Sequence, residues 1–76
     1  MIKVTAVYRY ERQPDGGAAW IVELVEEPRC HTFGRTLRAA QHNIREAAAA
    51  WYEVEPSQVE VADDVRLPPP ASRALV

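Results

Sequence analysis

From Ile2 to Glu11 the chain alternates. Ile2, Val4, Ala6, Tyr8 and Tyr10 take every second position, with Lys3, Thr5, Val7, Arg9 and Glu11 between them. A period of two with one apolar face predicts a half-buried strand. Gln13-Pro14-Asp15-Gly16-Gly17 follows, where Pro presets φ while Asp and Gly accept the positive φ of a hairpin turn. Ala18 to Val25 predicts the returning strand. Trp20, Val22 and Leu24 share one face, and Ile21, Glu23 and Val25 share the other. That second face is less polar than a solvated one usually is. Ile21 and Val25 are therefore candidates for self-association, although single apolar residues on a surface are also ordinary.

Glu26-Glu27-Pro28 interrupts the pattern. Cys30 to Phe33 predicts a short third strand, and Gly34 a turn. The period then changes to 3.6. Leu37, Ala40, Ile44, Ala47, Ala48 and Trp51 form one stripe of a helix over Thr36–Glu53, with Arg38, His42, Arg45, Glu46 and Glu53 opposite. Six alanines raise its intrinsic propensity. Thr36 is placed to cap the start, and Pro56 ends any continuation. Val54 to Ser57 forms a linker, and Gln58 to Ala62 a fourth strand with Val59 and Val61 on one face. The order β-β-β-α-β predicts an α+β fold. Its sheet is expected to be antiparallel with three to four strands, and the helix to pack on one face. The domain is expected over 1–65, with 66–76, containing Pro68-Pro69-Pro70, as a flexible tail.

Composition narrows the function classes. Seventy-six residues make one domain. Such a chain buries only roughly 60% of its unfolded surface, so pairing with another chain would help it. A hydrophobic fraction of 47% and a charged fraction of 26% match a soluble globular domain. The net charge of −2 argues against a dedicated nucleic-acid surface, while leaving room for a local basic patch. Cys30 is the sole cysteine, so no internal disulfide forms, in keeping with a reducing compartment. No signal peptide is evident, and no apolar run approaches the roughly 20 residues of a membrane span. A cytoplasmic location without membrane attachment is expected.

No catalytic set emerges. Cys30 and His31 are adjacent and point to opposite faces of a strand, so they do not pair as nucleophile and base. With His42 they lack zinc-ligand spacing. No metal or cofactor is expected, and no enzyme activity. Glu23, Glu26 and Glu27 instead cluster near the end of the second strand, with Arg29 beside them. An acidic cluster suits a basic protein partner, and it also suits a sheet edge kept soluble. Arg35 and Arg38 stand at the positive end of the helix dipole, and Glu53 and Glu55 at the negative end. Locally unfavourable placement of this kind marks Arg35 and Arg38 as candidate partner contacts, met by acidic groups of another chain.

The ordered combination of Trp20-Ile-Val-Glu-Leu-Val-Glu-Glu-Pro28-Arg-Cys30, Gly34-Arg-Thr36-Leu37, Ala40 and Asn43-Ile44-Arg-Glu46-Ala47 resembles the HicB antitoxin family. The resemblance covers roughly residues 2 to 62. It implies a partial RNase H-type β-β-β-α-β domain that binds and blocks a small ribonuclease toxin, HicA, and that forms homodimers or higher oligomers. Where the family carries proline, leucine and glycine, this chain has Val25, Glu27 and Arg29. Many family members add a C-terminal DNA-binding segment, but direct DNA binding is not expected of this chain. The competing expectation is an orphan HicB-like oligomerisation or binding module with no toxin partner.

Overall fold

A computed structural model describes residues 1–66. The chain forms β1 (Ile2–Arg12), β2 (Ala18–Leu24), β3 (His31–Gly34), α1 (Leu37–Tyr52), a 3-10 turn (Pro56–Gln58) and β4 (Val59–Arg66). The domain is α+β, with one four-stranded sheet in the order β3-β2-β1-β4 and one helix. The β1–β2 hairpin closes through Gln13–Gly17, where Gly16 adopts φ 91° and the Asp15 carboxylate accepts from the Gly17 amide. Of the tail expected over 66–76, Arg66 belongs to β4; the remainder lies outside the described residues.

The sheet is mixed, not antiparallel as expected. β1 pairs antiparallel with β2 and β2 with β3, but β4 runs parallel to β1, with Ile2 opposite Val59 and Arg9 opposite Arg66. The reason is parity. Each hairpin-like turn reverses the chain, and a helix packed across a sheet reverses it once more. β4 therefore runs in the direction of β3 and β1, and its place beside β1 makes that pairing parallel. β4 also extends four residues beyond the expected Ala62, because the inward alternation of Val59 and Val61 continues through Asp63 and Val65.

Alternation puts Val4, Ala6, Tyr8, Val22 and Leu24 on the helix-facing side, and all are buried. From α1, Ala40, Ile44, Ala48 and Ala49 meet them. Most of the helix's buried residues are alanine, so its backbone lies close to the sheet; Ile44 is the large residue among them, with Leu37 and Tyr52 partly buried beside the core. At Gly34 the approach is closest: a Cβ there would stand 2.5 Å from the Ala40 nitrogen. Asn43 fastens the same junction by donating from Nδ2 to the Phe33 carbonyl at 2.8 Å. Thr36 caps the helix as expected, accepting from the Ala39 amide. Glu53 ends it in the left-handed region (φ 57°).

Trp51 departs from the expected stripe and is 43% exposed. Sixteen helical residues span roughly 24 Å, while the four residues of β3 span roughly 13 Å. The last turn thus reaches beyond the strand beneath it. The Arg29 guanidinium covers the Trp51 ring at 5.4 Å.

Candidate functional site

The sheet has a helix on one side only. On the other side, among the described residues, no element covers it. β-pairing aligns the outward side chains in rows. Arg66, Arg9, Ile21 and Phe33 form one row; Asp64, Val7, Glu23 and His31 form the next. Phe33 is 62% exposed and Val25 is 57% exposed, while Ile21 and Val7 are half-buried. Beside Ile21 and Phe33 the hairpin loop encloses a dent of about 260 Å³. It is lined by Gln13, Asp15, Gly17, Ala19, Ile21 and Phe33, among others, with Arg35 at its rim. Arg9–Glu11 and Arg66–Asp64 ion pairs flank this apolar centre at 3.1 and 2.8 Å. An apolar centre with a charged rim is the usual anatomy of a protein interface.

The expected self-association residues, Ile21 and Val25, do fall on this face. Phe33 was missed as its most exposed apolar residue. The signal was available: Gly34 must turn inward to meet the helix, which turns Phe33 outward.

The acidic cluster is divided. Glu23 sits on the outward face opposite Val7 and His31. Glu26 is committed to the backbone, accepting from the Thr5 amide at 2.8 Å. Val25 donates to the Thr5 carbonyl at 2.8 Å, so the Glu26 carboxylate takes the position a continued β-ladder would give the Val25 carbonyl. That hydrogen bond holds the Glu26 carboxyl below its ordinary range. Glu27 is held low as well, chiefly by the hydrogen bond from Arg29, whose Nε lies 2.9 Å away. Arg29 thereby serves both Glu27 and Trp51. Burial pushes the Cys30 thiol up, with the Glu27 charge adding to it, so Cys30 is a core residue and not a ready nucleophile. Among the described residues, no group of three or more His, Cys, Asp and Glu side chains could hold a metal ion. No helix there is long and apolar enough to cross a membrane.

The two helix-start arginines are separated. Arg35 borders the outer dent, while Arg38 lies across the sheet in a second cleft, of about 320 Å³, between α1 and β4. Arg38, Gln41, His42 and Arg45 line one wall of that cleft and Asp63 the other. Asp63 is held from two directions. Tyr8 donates its hydroxyl to Oδ1 at 2.6 Å, and Gln41 donates Nε2 to Oδ2 at 3.0 Å. Tyr8 has no exposed surface. Burial, then the hydrogen bond to Asp63, raises its pKa far above the ordinary phenol value, and Arg45 opposes the rise. Sequence reading missed Asp63 because the fourth strand was expected to stop at Ala62. Comparison with protein-family models, curated proteins and solved structures gives no match to this chain.

Proposed function

We propose that this chain is a non-catalytic protein-binding domain of the HicB type, and that it occludes a small HicA-type ribonuclease with the open face of its sheet. The observation that supports this reading is the Ile21–Phe33 pair, half-buried and exposed respectively, beside a 260 Å³ dent on a sheet side that nothing in the described chain covers. A hydrophobic side chain of the partner fits the dent as an anchor. Glu23 supplies negative charge in the adjacent row, facing the basic surface that a ribonuclease presents to RNA. Glu26, Glu27 and Arg29 act on the fold of the β2–β3 connection, whereas Glu23 and Arg35 act at the interface. The test is co-expression with a HicA-type ribonuclease, followed by pull-down and growth rescue. Capture and relief of toxicity support the reading; a toxic ribonuclease that is neither captured nor relieved refutes it.

A second reading, a self-associating module without a toxin, draws on the same face. Its basic row (Arg66, Arg9) lies next to its acidic row (Asp64, Glu23). Two copies related by a two-fold axis can therefore set unlike charges opposite one another around Ile21 and Val25. Light scattering of the purified chain separates the two: a stable dimer lost on Ile21→Glu favours this reading, and a monomer excludes it.

A further inference from the structure

The cleft between α1 and β4 is left unused by the proposed protein-binding face, which lies on the opposite side of the sheet. Its composition is unusual for a chain of net charge −2. Arg38, His42 and Arg45 recur at helical spacing along one wall, over roughly 10 Å. Among the described residues the ion pairs are Arg9–Glu11, Arg29–Glu27 and Arg66–Asp64, so neither Arg38 nor Arg45 is neutralised by a direct carboxylate partner. Asp63 shares the cleft with both arginines without bonding to either. Its orientation is fixed from behind by the buried Tyr8 hydroxyl and from the side by Gln41. A carboxylate accepts about four hydrogen bonds, and these two donors leave acceptor capacity directed at the cleft. Two guanidiniums and a fixed carboxylate that share a cavity but not a bond leave room for a group that touches both. That group must offer anionic oxygens to the arginines and a donor to the carboxylate.

We propose that the α1–β4 cleft binds a phosphate ester carrying a neighbouring hydroxyl, the chemistry shared by a ribonucleotide and by the ribose-phosphate backbone of RNA. Arg38 and Arg45 take the phosphate oxygens, since the guanidinium fork matches their geometry. His42 lies between them and presents a ring N–H in either charge state. Asp63 accepts from the ribose hydroxyl, the group that distinguishes RNA from DNA.

The test is an amide-resolved NMR titration of the full chain with inorganic phosphate, adenosine 3′-monophosphate, its 2′-deoxy analogue, and an oligouridylate. The expected result is a set of shifts centred on Arg38, Gln41, His42, Arg45 and Asp63. Removing both guanidiniums in R38A/R45A should weaken binding by at least about tenfold, the loss of one charge-assisted hydrogen bond. Both side chains are exposed, so the variant should fold. The ribose form should bind more tightly than the deoxy form. Asp63→Asn should weaken that preference, because an NH2 group replaces one of the two acceptor oxygens and the other is shared with Tyr8. Tighter binding of oligouridylate identifies the RNA backbone as the source, and tighter binding of the mononucleotide identifies the free nucleotide. Absence of shifts with every probe, unchanged affinity in R38A/R45A, or equal binding of ribose and deoxy forms overturns the proposal. None of these outcomes bears on the Ile21–Phe33 face, so the two sites fail or stand separately.

Discussion

The hydroxyl of Tyr8 donates to Oδ1 of Asp63 at 2.6 Å, a bond that ties β1 to the edge strand β4 across 55 residues of sequence. Tyr8 is wholly buried and Asp63 exposed, so among the described residues the bond gives the phenol its one polar partner, and it holds the carboxylate in the cleft. Tyr8→Phe should cost about 1.5 kcal/mol, the low end for a hydrogen bond to a charged group, because Asp63 remains solvated. Denaturant unfolding reads this directly.

The same bond fixes a dependence on pH. Burial and Asp63 raise the Tyr8 pKa above its ordinary value of 10.0 in the folded state. The native state then keeps a proton that the unfolded state releases. Stability from this group is complete below pH 10.0 and falls as pH rises toward the native value. Tyr8→Phe should flatten that alkaline loss; an unchanged slope in unfolding curves taken above pH 10 contradicts it.

Gly34→Ala should be the most damaging alanine substitution among the three glycines. The added Cβ would lie 2.5 Å from the Ala40 nitrogen and 2.8 Å from the Ala39 carbonyl carbon, both helix backbone that cannot swing aside. Overpacking of this kind costs about 3 kcal/mol. Gly17→Ala meets only the Asp15 side chain, at 3.2 Å, and serves as the control. Urea midpoints of the two variants make the comparison.

Along the helix, Ile44→Ala should cost about 3 kcal/mol, since Ile44 is fully buried in the core and its truncation leaves a cavity. Trp51→Ala should cost only about 1 kcal/mol, the loss of an exposed cation–π contact with Arg29. Equal losses would place Trp51 in the core after all.

Much of this fold is legible in the residues. Period-two alternation in Ile2–Tyr10 and Trp20–Leu24 located the hairpin, and the shift to period 3.6 after Thr36 located the helix and its cap. Strand direction was not legible, because alternation assigns faces and says nothing of whether a neighbour runs parallel. Parity through the helix settles β4, and requires knowing which edge it joins. The β4 end was missed because Asp63 and Asp64 look like a loop, whereas Tyr8 and Arg66 satisfy them in place. Trp51 lies off the core for a different reason: helical angle alone does not say how far the sheet extends beneath the last turn. For the candidate surfaces, Ile21 and Val25 carried a visible signal as apolar residues on a face expected to be polar. The partition of Glu23, Glu26 and Glu27 carried none, since which glutamate bonds the Thr5 amide depends on where the ladder ends.

The proposed role of the open sheet face is tested most directly by calorimetry of the purified chain with a HicA-type ribonuclease, the proposed partner, wild type against the I21E/F33E variant. Both substitutions are on the uncovered side, so thermal stability should change little. The prediction is a measurable complex with the wild type and a weakening of at least about 100-fold in the variant, as for removal of an interface hot spot. A folded variant that binds as tightly as the wild type, or a wild type that does not bind at all, contradicts the account.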